Sequence, residues 1–309
     1  MKISVIMLTM NSSPWLDEVL APIVKAKEKH DLELVIVDGG SKDNTLSKIR
    51  DLAKDNSLEV KIICESSKNL AHARNLGLKS ASGDFQGFID SDIVVPGDFF
   101  DTMLSHLKDE SVGIVGARFE LERDPPKGFV AKYYRNRRDI YRRGVHEVDY
   151  TTTACSFWSK KVVDNLVINE GFHRAGEDVD FNLRIKERGY TCLLDADCVA
   201  WHIRTPTLKE ELKRVWDHGE SRALNLKLHW NSIGRGPRTV LASLLMLFCW
   251  ICLLLIPFIG VWGLVPFGAI LVRQATKLKK PWRADHVLFG FLLFALYTSR
   301  FLWGCSKYA

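Results

Sequence analysis

The sequence predicts an α/β domain, a mostly parallel sheet with helices on both faces, followed by C-terminal transmembrane helices. Three observations predict it. Apolar runs alternate with helical periodicity through roughly the first 120 residues, the pattern of strands joined by crossover helices. Polar and acidic residues gather where those runs end. Much further on, Thr239–Val272 contains no charged residue at all. With 309 residues the chain is long for one domain but too short for two large ones plus a membrane region. The expected division is a globular domain over 1–205, an amphipathic interfacial linker over 206–238 and a membrane region of two to three helices over 239–309.

The elements follow in order. Ile3–Leu8, Leu32–Val37, Val60–Cys64 and Phe85–Ile89 read as buried strands. The first helix is expected to use Ser13 as N-cap and Pro14 at its first position, with Asp17 and Glu18 in the first turn and Leu16, Leu20, Ile23 and Val24 as its buried stripe. The second strand runs into Asp38-Gly39-Gly40-Ser41-Lys42-Asp43, where glycines permit a tight turn beside a ligand. After Val112–Ala117 the alternation stops. Residues 118–150 hold a basic-aromatic stretch, Tyr133-Tyr134-Arg135-Asn136-Arg137-Arg138 to Tyr141-Arg142-Arg143. It suits nucleic acid, anionic headgroups or a phosphorylated acceptor, and suits a solvated helix face equally well. Gly176-Glu177-Asp178-Val179-Asp180 leads into a helix ending near Arg188-Gly189, with acids in its first turn, bases in its last and a terminal glycine.

Leu208–Trp230 is charged and aromatic, with Leu212, Val215 and Trp216 on one side, the pattern of a helix lying at a membrane interface. As one helix, Thr239–Val272 would run about 50 Å, beyond a hydrocarbon core of about 30 Å. Pro257 and Gly260 near its middle predict a membrane hairpin instead. The loop with Arg273, Lys277, Lys279, Lys280 and Arg283 then returns to the cytoplasm. A third apolar helix is expected from about 286 to 304; Arg300 leaves open whether it spans or lies in the interface. The N-terminus starts directly on a strand pattern without a signal peptide, so a cell-membrane, multi-pass protein with its globular domain in the cytoplasm is expected. Seven cysteines without regular spacing fit reduced thiols, and Cys249 and Cys252 read as packing residues.

Phe88-Ile89-Asp90-Ser91-Asp92 places two carboxylates one residue apart at the end of an apolar strand. That arrangement suits a divalent ion held by one or two protein ligands plus substrate phosphates. The chain has neither a G-x-x-x-x-G-K-[ST] cradle nor a G-x-G-x-x-G after its first strand, so a phosphate-bearing substrate would be held through a metal. In an open α/β sheet, ligands sit outside the carboxyl ends of the strands. Asn11, Asp38 and Asp90–Asp92 all fall at such ends.

With these motifs in place the chain resembles the family 2 glycosyltransferases with the GT-A fold. The likeness runs through Val5-Ile6-Met7-Leu8-Thr9-Met10-Asn11, Val35-Ile36-Val37-Asp38-Gly39-Gly40-Ser41-Lys42-Asp43, Ala73-Arg74-Asn75-Leu76-Gly77, Asp90-Ser91-Asp92 and Gly176-Glu177-Asp178, and covers most of 1–205. Gly39 stands where the family usually has an acid. The Q-x-x-R-W signature of processive synthases is absent, which favours single addition. The resemblance implies a UDP- or GDP-sugar donor, Mg²⁺ or Mn²⁺, and inversion at the anomeric carbon. It implies that Asp38 contacts the base or ribose with Thr9 and Asn11 beside it, and that Arg74 lies near the uracil or diphosphate. It also implies that Asp90 and Asp92 bind ribose and metal, and that Asp178, with Glu177 beside it, is the general base. His202 sits where many relatives place a histidine near the metal, although a strand-end histidine is as often structural.

The expected enzyme is a hexosyltransferase with a lipid-linked or membrane-associated acceptor; nucleic acid is not an expected partner, and a homo-oligomer stays open. Departure of a nucleoside diphosphate builds charge that a divalent ion stabilises, and a hydroxyl acceptor needs a base. A polyprenyl-phosphate acceptor is the close alternative, because a phosphate oxygen is already an anion; the Glu177–Asp178 pair favours a hydroxyl. A sugar-nucleotide pyrophosphorylase would carry a glycine-rich basic loop after the first strand, where this chain has Thr9-Met10-Asn11-Ser12-Ser13-Pro14. A non-catalytic membrane scaffold with the same fold is the remaining alternative.

Overall fold

Alternate residues of the first strand, β1 (Lys2–Thr9), enter different cores. Ile3, Val5 and Met7 pack with one set of buried residues and Ile6 with another. This follows from the two-residue period of a strand covered on both faces. The structure, a computed structural model of the chain, describes residues 1–67, 69–121, 128–136, 143–172, 175–230, 240–241, 243–248, 251, 264–278 and 283–308. It divides into two units, Met1–Pro125 with Tyr141–Arg204, and Pro126–Ile140 with Thr205–Ala309.

In the first unit the remaining strands are β2 (Asp31–Asp38), β3 (Glu59–Cys64), β4 (Phe85–Ile89), β5 (Ile93–Val94), β6 (Val112–Leu121), β7 (Val145–Glu147), β8 (Cys155–Ser159) and β9 (Thr191–His202). Among the described residues they form one sheet in the order β3-β2-β1-β4-β8-β6-β9-β5, with β7 paired to β9. The pairs β3–β2, β2–β1, β1–β4 and β6–β9 are parallel, and the pairs made by β8, β5 and β7 are antiparallel. On one face lie α1 (Leu16–Ala26), α2 (Thr45–Asp55) and α4 (Phe99–His106), which contribute Leu20, Ile49 and Phe99 to one core. On the other lie α3 (Leu70–Ser80) and α6 (Glu177–Glu187), which bury Ala71, Phe181 and Ile185 around Phe88 and Trp158.

The first helix departs from expectation. It starts at Leu16, with Trp15 at the cap and no side-chain capping bond. The Ser13 amide instead donates to Asp43 Oδ2 at 3.2 Å and Thr45 Oγ1 at 3.0 Å. Residues 13–15 are therefore a turn held by the neighbouring loop.

The second unit contains α5 (Phe129–Asn136), α7 (Leu208–Leu228), α8 (Val265–Thr276) and α9 (Ala284–Tyr308). The start of α7 carries a capping box, Thr207 with Glu210. Tyr133, from the basic-aromatic stretch, is buried among Val130, Val215, Phe289 and Leu293, and Tyr134 hydrogen-bonds to Glu211. These two aromatics build the core of the unit rather than a ligand surface. Arg137, Arg138, Tyr141 and Arg142 lie outside the described residues, as do Pro257 and Gly260 at the expected hairpin turn. The third apolar helix, expected over 286–304, is α9. Among the described residues it is the one helix long and apolar enough to cross a membrane.

Candidate active site

The parallel register of β1 and β2 sets Thr9 opposite Asp38, at the carboxyl ends where ligands of such sheets sit. Asp38 is 1% exposed, and four protein groups take up its carboxylate. Thr9 Oγ1 donates to Oδ1 at 2.9 Å and Ser41 Oγ at 2.6 Å, while the amides of Gly40 and Ser41 donate to Oδ2 at 3.0 and 2.8 Å. The side chain expected to face a base or ribose is thus the organiser of its own loop. Asn11 stays exposed at the rim, with a left-handed φ of 52°. Its amide donates to Ser41 Oγ at 2.8 Å, and its side-chain oxygen accepts the Lys42 amide at 2.8 Å.

Beyond β4, the Asp90 amide is held by the carbonyl of Ala154 and the Asp92 carbonyl by the amide of Ile203. The β5–β9 pairing sets His202 opposite Ile93. The result is that His202 Nε2 lies 3.4 Å from Asp92 Oδ2, both side chains about a quarter exposed. His202 Nδ1 lies 2.5 Å from the carbonyl oxygen of Arg204. A carbonyl can only accept, so Nδ1 carries a proton, and Nε2 is the ring nitrogen that faces the Asp92 carboxylate. Holding a histidine tautomer through its other nitrogen is the usual support of a metal ligand. Among the described residues no group of three or more His, Cys, Asp or Glu side chains could hold a metal ion. A carboxylate and an imidazole fit a divalent ion such as Mn²⁺ that is held jointly with a diphosphate.

Arg74 is buried beside Asp90. It is 6% exposed, its guanidinium is paired with Glu177 and stands 3.8 Å from Asp90 Oδ1, and it lies 5.6 Å from the centre of the Phe88 ring. Burial works against its charge, but Glu177, Asp90 and Asp178 raise its pKa above the ordinary arginine value. Asp90 is raised by desolvation and by Asp92, against the pull of Arg74 and His202.

Gly176, the residue before α6, has a φ of 87°, a conformation glycine adopts without strain. It turns the chain so that Glu177 and Asp178 occupy the first turn, near the positive end of the helix dipole. Glu177 is 4% exposed. Its Oε2 and Arg74 Nε are buried without a hydrogen-bond partner among the described residues. Asp178 is half-buried, and its Oδ1 accepts the Val179 amide at 2.8 Å. Burial and the adjacent Glu177 push its carboxyl up to about 7, against the pull of Arg74. A carboxylate with that pKa serves as a general base at neutral pH.

The sequence reading missed the brace behind this helix. Asn75 donates to the Ile168 carbonyl at 2.8 Å and to Glu170 Oε1 at 2.9 Å, and accepts the Ile168 amide at 2.7 Å. His72 stands between Glu170 and Glu65, at 3.0 and 3.4 Å. The one signal available was the placement of Asn75 directly after Arg74.

Residues 4–167 match the family model for Glycosyl transferase family 2, more than half of the chain. The protein belongs to this family. Glu177, Asp178 and His202 lie beyond the matched segment. EpsJ of Bacillus subtilis (strain 168), an uncharacterized glycosyltransferase, is 24% identical over 191 residues, covering 59% of this chain and 55% of that protein. A dolichyl N-acetyl-alpha-D-glucosaminyl phosphate 3-beta-D-2,3-diacetamido-2,3-dideoxy-beta-D-glucuronosyltransferase from Methanococcus voltae is 22% identical over 250 residues, covering 73% of this chain and 74% of that one. The chain spans about half the length of several curated relatives it matches. Among solved structures, the mannosyltransferase PcManGT from Pyrobaculum calidifontis, in complex with GDP-Man and Mn²⁺, superimposes with a TM-score of 0.64 at 18% identity, covering 97% of this chain and 87% of that one. The fold is that of the GT-A enzymes.

The buried Arg74–Glu177 pair carries a stability prediction. Arg74→Met leaves Glu177 as an uncompensated buried charge and is expected to destabilise the first unit by about 3–5 kcal/mol. Adding Glu177→Leu should recover most of that loss. Thermal unfolding followed by circular dichroism reads both, and an unchanged midpoint for Arg74→Met contradicts the pairing.

Proposed function

We propose that the protein is a membrane-associated, inverting, non-processive glycosyltransferase that moves one sugar from a UDP- or GDP-sugar to a hydroxyl group of a lipid-linked glycan, with its first unit on the cytoplasmic side. The observation that carries the proposal is Asp178, a base-competent carboxyl raised to about 7 at the start of α6, in the same unit as the Asp92–His202 pair. The M. voltae relative, whose name describes transfer to a lipid-phosphate-linked sugar, supports the acceptor class. The PcManGT complex with GDP-Man and Mn²⁺ supports the donor class and the ion. Exposed apolar side chains in the second unit, Leu241, Phe248, Val265 and Val272 among them, support the membrane.

In this reading Asp178 takes the proton of the acceptor hydroxyl through Oδ2, the oxygen not engaged with Val179. The hydroxyl oxygen bonds to the anomeric carbon as the bond to the nucleoside diphosphate breaks, on the opposite face of the sugar. Asp92 and His202 Nε2 would hold a divalent ion, which supplies Lewis-acid stabilisation of the leaving diphosphate. Asn11 and the loop shaped by Asp38 frame the nucleotide. Arg74 locks Glu177 against the Asp90 side of the site and so positions α6.

A pH profile tests the assignment. The base acts only when deprotonated, so at saturating substrate and Mn²⁺ kcat rises with pH to a plateau, with an apparent pKa near 7. Activity is lost as the pH falls below that value. A profile flat through this range contradicts base catalysis by Asp178 and favours a phosphate acceptor, which needs no base.

A further inference from the structure

Within the second unit, α7 and α9 run side by side over most of the length of α7. Val215 packs with Phe289 and Leu293. Further along, a Cβ added to Gly219 would lie 2.5 Å from the Tyr297 carbonyl oxygen and 3.0 Å from Arg300 Cβ. One added to Gly304 would lie 2.9 Å from Ala223 Cβ. At the end, Lys227 hydrogen-bonds to the carbonyl of Tyr308. The two helices are parallel and in contact from residue 215 to 227 on one and from 289 to 308 on the other.

This packing conflicts with a bilayer crossing by α9. From 215 to 227, α7 runs about 18 Å, more than half of a hydrocarbon core of about 30 Å. It would carry Asp217, Glu220, Arg222 and Lys227 with it, and charges at that depth are expensive. On α9 itself the uncharged stretch between Asp285 and Arg300 is shorter than the about 20 residues a crossing needs.

The charges of α9 are arranged for an interface. Arg300 pairs with Glu220, and its guanidinium lies 3.6 Å from the centre of the Trp303 ring and 5.1 Å from that of Trp216. Lys307 bonds to Glu220 at 2.6 Å and lies 5.3 Å from the Trp303 ring centre. Away from α7, Leu288, Leu292 and Trp303 are 58%, 43% and 45% exposed. Tryptophan beside cationic side chains, next to uncovered leucines, is the composition of a helix lying at headgroup level.

We propose that α9 does not span the membrane but lies in the plane of an anionic bilayer surface, with α7 as its polar backing and Leu288, Leu292 and Trp303 turned to the lipid. The inference rests on the membrane reading above and assigns both ends of α9 to one side. It is tested on the full chain in cell membranes, with single cysteines at Ala284 or Ser306 in a background lacking the native ones. A membrane-impermeant maleimide is applied to intact cells and to inside-out vesicles. Both positions are expected to label only in inside-out vesicles. Labelling of one of them from outside overturns the inference and restores a span, leaving the proposed activity untouched. A second readout uses an environment-sensitive dye on Leu292→Cys, with purified protein and phosphatidylglycerol-containing vesicles. A blue shift on adding vesicles, quenched more by lipids brominated near the headgroup than near the chain ends, is expected. A shift that follows protein concentration and not lipid overturns it in favour of a second copy covering the face. No shift, with the chain recovered in the soluble fraction, overturns both this inference and the membrane reading.

Discussion

Asp178→Asn is expected to lower kcat by about 10²–10⁴-fold, the usual contribution of a positioned general base, with donor affinity within about twofold of wild type. The amide keeps the size of the side chain and leaves an oxygen for the Val179 amide that Oδ1 now accepts at 2.8 Å, so α6 keeps its start. What is lost is the ability to take a proton. The rise of kcat with pH should vanish in the same variant, because the group that titrates near 7 is gone. Donor binding by calorimetry together with steady-state kinetics separates the two effects. A normal turnover would assign the acceptor to the phosphate class. A large loss of donor affinity would mean that Asp178 binds rather than catalyses.

Asp92→Ala is expected to abolish transfer and to remove the dependence of donor binding on Mn²⁺. Asp92 is the last acid of the strand-end pair, and its Oδ2 lies 3.4 Å from His202 Nε2. Losing a contact that merely supports a metal ligand costs about 10–100-fold in metal affinity, and losing the ligand itself should exceed that. Titrating Mn²⁺ in the presence of a nucleotide sugar reads the change. Unchanged Mn²⁺-dependent donor affinity in Asp92→Ala would remove Asp92 from the ion site.

The parts of this protein legible in its sequence are those set by burial period and strand ends. Phe85–Ile89 has its expected bounds in the structure, because Phe85, Phe88 and Ile89 mark the strand although Gln86 is buried among them. Gly176 and the acids after it marked the start of α6 for a similar reason, since dipole and cap act locally. The short antiparallel strands escaped notice. β5 has two residues, and β7 is mostly exposed, so neither has a hydrophobic period to read. The partners of the site residues were also hidden. Arg74 meets Glu177 across 103 positions of sequence, and Asn75 meets Ile168 across 93. No local rule connects such residues before the sheet brings them together. Asp38 shows the same limit at short range. Its place at a strand end suggested a ligand contact, but not that the glycine turn after it folds back and donates to both carboxylate oxygens. For α9 the limit was of another kind: composition alone could not separate a span from an interfacial helix, because the charged helix packed against it, α7, lies some 80 residues earlier, as the Arg300–Glu220 contact shows.

The activity proposed for this site is metal-dependent, inverting transfer from a nucleotide sugar. Proton NMR of a panel of UDP- and GDP-sugars incubated with the protein tests it most directly, read with Mn²⁺ and with chelator, and following slow transfer to water when no acceptor is supplied. Turnover of at least one donor is expected with Mn²⁺ and none with chelator, and the first-formed sugar is expected to have the anomeric configuration opposite to that of the donor. Turnover that persists in chelator, or a first-formed sugar that keeps the donor's configuration, would contradict it.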